Sequence, residues 1–420
     1  MDRPLRFCMI TTFYPPYNFG GDGIFVRQLS NELARRDHHV DVIHCTDAYR
    51  SLSHREPAAG YHDHPNVTVH GLRSPFGSLS PLATQQTGFP TLKSNRVREI
   101  MAKGFDVIHY HNVSLVGGPK ILDYGNGIKL YTMHEYWLIC PTHTLFKFNR
   151  APCTAPQCFL CALSYRRPPQ WWRYLGLLES AIKQVDAFIA PSRFIKDLHH
   201  AKLNIPIVHL PNFASSSHND AAPISDRPPS DKPYFFFVGR LESLKGLQTI
   251  IPLFRRNPKA QLWIAGTGNY ESHLRRLAEG SANIRFLGYR SGEQLRALYR
   301  HAVALIVPSL YYENFPLVTI EAFKQQTPVI VRNLGGLPEI VRESGGGFVY
   351  DSDTELESAM DQLLADPSCR QEMGLKGYQA YKRNWTAEAH LEGYFALIRQ
   401  IAASRRDANK MTATASNPPE

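Results

Sequence analysis

Short β-rich runs alternate with amphipathic helical stretches along most of this 420-residue chain. In the first half the pattern predicts strands over 6–12, 40–44, 67–72, 106–110, 129–132, 187–190 and 207–210. Helical stretches lie between them. Over 24–36, Val26, Leu29, Leu33 and Ala34 form an apolar stripe at helical spacing, and 171–184 reads as another helix. In the second half strands are predicted over 234–238, 261–265, 283–286, 304–307 and 328–331. Such alternation builds parallel sheets with helices on both faces. The expected fold class is therefore α/β, with two Rossmann-like, doubly wound parallel-sheet domains facing across a cleft. A stretch rich in Ser, Pro and Asp separates the halves. The expected division is a first domain over 1–213, a linker over 214–232 and a second domain over 233–382. A terminal helix over 383–404 should cross back to the first domain, followed by a disordered tail over 405–420.

Composition narrows the class. A hydrophobic content of 43% with 11% aromatics fits a packed globular protein. There is no run of about 18 apolar residues, so no transmembrane helix is expected. The N-terminus lacks the apolar core of a signal peptide. Seven cysteines, an odd number, do not suggest a disulfide framework in a chain this large. The expected location is cytoplasmic, or peripheral on the inner face of the membrane. A formal net charge of +10 favours anionic partners: nucleic acid, anionic lipid and phosphorylated substrates all suit it on charge alone.

Candidate chemistry concentrates just after predicted strands. Glu313 and Glu321 frame Asn314, Phe315, Pro316 and Leu317. Pro316 suits the first position of a helix, where its missing N–H is no loss. Glu313 then lies in a strand-to-helix loop, and Glu321 sits roughly 7 Å deeper along the helix. The free N–H groups of such a helix start suit phosphate or sugar hydroxyls. The same spacing also describes two exposed helix glutamates. Two further loops look suited to a diphosphate. Gly20 and Gly21 follow the first strand and open a helix, although ordinary turn chemistry explains them equally well. Arg240 and Lys245 flank the turn after strand 234–238, offering a planar fork and a mobile point charge, or simply a solvated basic loop. The Gly-x4-Gly-Lys-Ser/Thr pattern is absent.

Taken in order, these pieces resemble the family-4 retaining glycosyltransferases of the GT-B fold. The matching residues are Gly20-Gly21, Asp106 to His109, Thr132 to Glu135, Ala190 to Ser192, Pro211-Asn212, Gly239 to Leu241 with Lys245-Gly246, Ile264 to Gly268, Phe286 to Gly288, and Glu313 with Glu321. They span nearly the whole chain. The resemblance implies a metal-independent, retaining hexosyl transfer from a nucleotide-sugar donor (UDP-, GDP- or ADP-linked). The acceptor would be a saccharide or lipid-linked saccharide, in cell-surface polysaccharide or glycolipid synthesis. It implies that Arg240 and Lys245 clamp the diphosphate. Glu313 and the backbone from Asn314 through Phe315 and Pro316 to Leu317 would hold the sugar and phosphate, and Glu321 the ribose. Gly20 and Gly21 would approach the leaving phosphate or acceptor, and His134 the transferred sugar. Gly266 and the backbone near Leu287 would sit on the donor side. No cofactor is required in that scheme. A sugar-nucleotide epimerase of the same fold and a non-catalytic zinc-containing scaffold are the rival readings.

One segment, about 137–174, departs from the family pattern. It carries Cys140, Cys153, Cys158 and Cys161, the last two as Cys-x2-Cys. Four close thiols suggest a structural zinc site, with His143 as a substitute ligand, or free thiols, or a disulfide pair. The stretch Tyr165 to Tyr174 then interleaves aromatics with arginines. That suits a membrane interface or lipid-linked acceptor, and equally a buried helix start with solvated arginines. No recognisable nucleic-acid module accompanies it, so nucleic acid is not expected as a partner.

Overall fold

The computed structural model describes residues 3–53, 56–57, 60–214, 230 and 232–415. In chain order its strands are β1 Arg6–Ile10, β2 His39–Cys45, β3 Val67–Leu72, β4 Val107–Tyr110, β5 Ile128–Thr132, β6 Phe146–Lys147, β7 Ala151–Pro152, β8 Ala187–Ala190 and β9 Ile207–His209, followed by β10 Tyr234–Val238, β11 Gln261–Ala265, β12 Ile284–Gly288, β13 Leu305–Val307, β14 Val329–Arg332 and β15 Gly347–Tyr350. Seven of them form one sheet in the order β3-β2-β1-β4-β5-β8-β9, and six form another in the order β12-β11-β10-β13-β14-β15. Every pairing in both sheets is parallel. Two α/β domains of the GT-B kind result.

The central strands show why the sheets are covered on both sides. Along β1, Cys8 and Ile10 enter one apolar cluster while Phe7 and Met9 enter another. Along β10, Phe235 and Phe237 face one core while Tyr234 and Phe236 face the other. Residues two apart share a face, so a continuous apolar run must be buried on both sides. In each sheet the strand order reverses at its centre, between β1 and β4 and between β10 and β13. Open α/β sheets take ligands at the carboxyl ends of strands flanking such a reversal.

The long helix Ala387–Ala415 leaves the second domain and packs on the first. Leu391, Tyr394, Leu397 and Ile398 join the cluster of Phe7, Leu29 and Val42. Arg405 anchors its later turns, 2.7 Å from the Asp186 carboxylate. The polar stretch expected as a tail from 405 is instead helical to Ala415, continuing the helix that Arg405 anchors. Residues 416–420, and most of the expected linker, lie outside the described residues. The 383–404 helix is two helices, Pro367–Asn384 and Ala387–Ala415, meeting at buried Trp385. The helix expected over 171–184 is also broken. A 3-10 turn, Trp171–Tyr174, precedes the helix Leu177–Ile182, with Gly176 left-handed (φ 70°) between them. Strand β15 and the β6–β7 hairpin carry too few alternating positions to be read from the sequence. Among the described residues no helix is long and apolar enough to cross a membrane.

Because Leu391 is 2% exposed, Leu391→Ala should destabilise the protein by about 2–5 kcal/mol. A urea unfolding series measures this; a loss below about 0.5 kcal/mol would mean that the helix is not part of the first domain's core.

Candidate active site

The second domain supplies a wall built from the two loops at its strand reversal. After β10 the chain turns through Gly239 to Gly246 into the helix Leu247–Arg256. Gly246 has φ 80°, and a Cβ there would lie 1.9 Å from the Pro308 carbonyl oxygen. Only glycine allows that approach, and it presses Lys245 against the loop after β13. There Lys245 Nζ lies 2.7 Å from Glu313 Oε1 and donates to the Tyr311 hydroxyl at 3.0 Å. The Ser309 hydroxyl donates to the same Oε1 at 2.7 Å, and Tyr311 donates to Oε2 at 2.7 Å. Burial pushes the Glu313 carboxyl upward, but the Lys245 charge and the hydrogen bonds from Lys245, Ser309 and Tyr311 outweigh it, leaving it below the usual carboxylate range. Glu313 is therefore a fixed anion rather than an acid. An ammonium has three N–H donors. With two taken by Glu313 and Tyr311, one is left for a ligand.

The sequence reading treated Lys245 and Glu313 as separate grips on phosphate and sugar. The structure makes them one ion pair. Arg240 differs: it is half-exposed and sits 2.7 Å from Glu242. Beyond Glu313, Pro316 caps the helix Leu317–Lys324 from just outside rather than occupying its first turn. That first turn carries no acidic side chain, so the partial positive charge of its N–H groups is uncompensated. Asn314 ties the domains together, donating to the Met133 carbonyl at 2.7 Å and accepting from Ser192 Oγ at 2.9 Å.

The first domain supplies the facing wall. Gly20 caps the helix Gly21–Ala34, and a Cβ on Gly21 would lie 3.7 Å from Leu317 of the second domain. Asp22, in the first turn of that helix, has its carboxyl pushed up by burial and by nearby Glu135, partly offset by the Gly23 amide and by Arg240 across the cleft. His134 follows β5 and pairs its Nε2 with His111 Nδ1 at 2.9 Å. Behind it, His109 joins Thr132 at 2.8 Å and the Tyr394 hydroxyl of the long terminal helix at 2.9 Å. Burial, with neighbouring His390, depresses His134 to about 3. Burial likewise holds His109 and His111 well below the usual value, so these imidazoles are neutral at ordinary pH.

Between the walls lies a cavity of about 700 Å³. Gly20, Gly21, His134, Arg240, Lys245, Glu313, Asn314, Phe315, Pro316 and Leu317 all line it. Three anticipated residues do not. Gly266 (φ 126°) abuts Gly239, whose carbonyl oxygen would be 1.9 Å from an added Cβ. Leu287 packs on a core beneath β12. Glu321 accepts from the Tyr299 hydroxyl at 2.8 Å. Sequence reasoning missed Ser309, Tyr311 and Asp22, each of which sits close to a residue it had flagged. It also missed the insert's share of the wall: Thr142, His143, Thr144, Asn149, Tyr165 and Arg167 line the cavity. The signal there was position, just after His134, rather than any motif. The insert's thiols are free; Cys140 and Cys161 are buried, and Cys153 and Cys158 half-buried. Among the described residues no three His, Cys, Asp or Glu side chains gather as metal ligands.

The sequence profile for glycosyltransferase family 4 matches residues 19–217, and that for glycosyl transferases group 1 matches residues 220–380. An uncharacterized glycosyltransferase of Methanocaldococcus jannaschii is 34% identical over 377 residues, covering 86% of this chain and 90% of that one. The chain belongs to glycosyltransferase family 4. A D-inositol 3-phosphate glycosyltransferase of Pseudarthrobacter chlorophenolicus is 26% identical, with 90% of this chain and 91% of the relative covered. Among solved structures, sucrose-phosphate synthase from Thermosynechococcus elongatus superposes with a TM-score of 0.72 at 21% identity, covering 95% of this chain and all of that one. The Anabaena protein HepE, solved with UDP and glucose, gives 0.64 at 18% identity over 96% of this chain and 100% of its own. The protein is thus a glycosyltransferase whose two cleft walls are the ones just described.

The neutral histidines give this transferase an acid-side instability. His134 and His390 (about 3 and about 4) lie below the value of about 6.5 expected unfolded. The unfolded chain therefore binds protons first as pH falls, so their contribution is complete above about pH 6.5 and is lost progressively toward about pH 3–4. Urea midpoints should fall between about pH 7 and pH 5, and less steeply in His390→Gln. Identical slopes for the two proteins would remove His390 from this account.

Proposed function

We propose that this transferase moves a hexosyl group from a UDP-, GDP- or ADP-sugar to a saccharide or lipid-linked saccharide with retention at the anomeric carbon. Its products would be cell-surface polysaccharide or glycolipid. The observation that carries the reading is the Glu313–Lys245 pair (2.7 Å) beside Arg240 and an uncompensated helix start, all on one wall of a cleft. Departure of the nucleoside diphosphate places negative charge on its phosphate oxygens. The Arg240 fork, the remaining Lys245 N–H and the amides of Leu317 and Val318 are donors for that charge. No metal ion is needed in this scheme, since the chain's own cations serve. The acceptor hydroxyl attacks from the leaving-group face and passes its proton to a leaving phosphate oxygen. Neutral His134, with Nε2 occupied by His111, keeps Nδ1 for the transferred sugar. Glu321, steadied by Tyr299, is assigned the ribose hydroxyls. That the similarly folded HepE was solved with UDP and glucose supports a nucleotide-sugar donor.

A panel of UDP-, GDP- and ADP-sugars should reveal one donor that is consumed, with the product's anomeric configuration, read by NMR, matching the donor's. Lys245→Ala and Glu313→Ala should each abolish transfer, by roughly a hundredfold or more, while circular dichroism stays native. Near-normal turnover in both variants refutes the assignment.

A structural zinc on Cys140, Cys153, Cys158 and Cys161 remains part of the proposal. The Phe148 amide donates to Cys161 Sγ at 3.3 Å, and burial together with the neighbouring thiols pushes Cys153 and Cys158 up, so a bound metal would have to displace their protons. Protein purified under reducing, chelator-free conditions should then carry about one zinc per chain; clearly substoichiometric zinc rejects it.

A further inference from the structure

We propose that one outer face of the first domain docks on a bilayer leaflet rich in anionic lipid. The face is built from the helix Leu79–Thr87, the turn Thr91–Lys93, the helix Cys158–Ser164 and the turn Trp171–Tyr174. Eleven of the seventeen exposed large apolar side chains among the described residues fall within 76–92 and 159–175. Leu175 is 78% exposed, Tyr174 62%, and Leu160, Trp171 and Leu79 each close to 60%. Scattered single apolar residues are ordinary on a protein surface, but a concentration of them marks an interaction site.

The pieces adjoin one another. The Trp172 indole N–H donates to the Gln85 carbonyl at 2.8 Å, and the Phe159 and Trp171 rings lie 6.1 Å apart. A Cβ on Gly88 would come within 3.0 Å of both Leu177 and Trp172, so the two segments are in close contact. The turn Thr91–Lys93 packs against the helix Leu79–Thr87.

Charge selects the partner. Lys and Arg outnumber Asp and Glu by five to one within 73–103 and by six to one within 136–184. Lys93 is buried, Arg173 donates inward to the Trp137 carbonyl and Arg167 lines the cavity, so the outward charge comes from exposed residues such as Arg73, Arg98, Arg150, Arg166 and Lys183. A second copy of this chain would meet the same excess of positive charge, which opposes self-association. Nucleic acid would suit the charge but leaves the exposed leucines in water. A leaflet with anionic headgroups satisfies both: its surface attracts Lys and Arg, its acyl boundary takes leucine, and Trp and Tyr suit the polar–apolar border. The same insert lines the catalytic cavity through Thr142, Asn149 and Arg167. Docking would therefore bring the cleft close to a lipid-borne acceptor, a consequence that rests on the proposed function although the docking does not.

Vesicle sedimentation of the full chain separates the possibilities without any assay of transfer. Wild-type protein should pellet with vesicles containing about a quarter phosphatidylglycerol and stay in solution with pure phosphatidylcholine, and its binding should weaken as salt rises from about 0.1 M. The Trp171→Ser/Leu175→Ser double variant should lose at least about tenfold in partitioning with an unchanged Tm, since both side chains already face solvent. Arg166→Glu/Lys183→Glu should likewise lose binding to the anionic vesicles. Equal partitioning of wild type and both variants, or no pelleting of wild type with either vesicle, overturns the proposal. So does concentration-dependent dimerisation that the Trp171/Leu175 variant abolishes.

Discussion

The Glu313–Lys245 pair sets the shape of the cleft. A carboxylate that is 6% exposed is tolerable only if its charge is matched and its oxygens are hydrogen-bonded. Here Lys245, Ser309 and Tyr311 meet that requirement together. Removing one member strands the other, at a cost of about 3–5 kcal/mol for a buried pair. The half-exposed Arg240–Glu242 pair is worth at most about 1 kcal/mol. The cleft thus holds one rigid cation and one that can swing.

Much of the surrounding backbone serves this arrangement. Gly246 permits the turn that presents Lys245, and the end of β13 delivers Ser309. Asn314, the residue next to Glu313, reaches Met133 and Ser192 in the other domain. The second domain's wall is therefore registered against the first at the point where the charges sit. The terminal helix Ala387–Ala415 adds a second tie, and its Tyr394 reaches His109 behind the His134 side of the cleft.

The central strands were legible because both of their faces are buried, which makes continuous apolar runs such as Phe235 to Val238. Glu313, Lys245 and Gly20 were legible because each follows such a strand. Their partnership was not: 68 residues separate Lys245 from Glu313, and only the adjacency of β10 and β13 brings them together. Glu321 was legible by helical geometry, whereas its hydrogen bond from Tyr299, on a neighbouring helix, was not. The insert was legible for its cysteines and aromatics, whereas its contribution to the cavity depends on how it folds back beside Glu135. His143 pairs with that carboxylate at 2.9 Å.

The most direct test of the central claim is a double-mutant cycle at Lys245 and Glu313, read as the rate of nucleotide-sugar consumption. If the two act as one buried unit, Lys245→Met, Glu313→Gln and the double variant should all fall to about the same residual rate, because the first substitution already disables the pair. Losses that multiply, with the double variant slower by the product of the single effects, would show two independent grips and contradict the account.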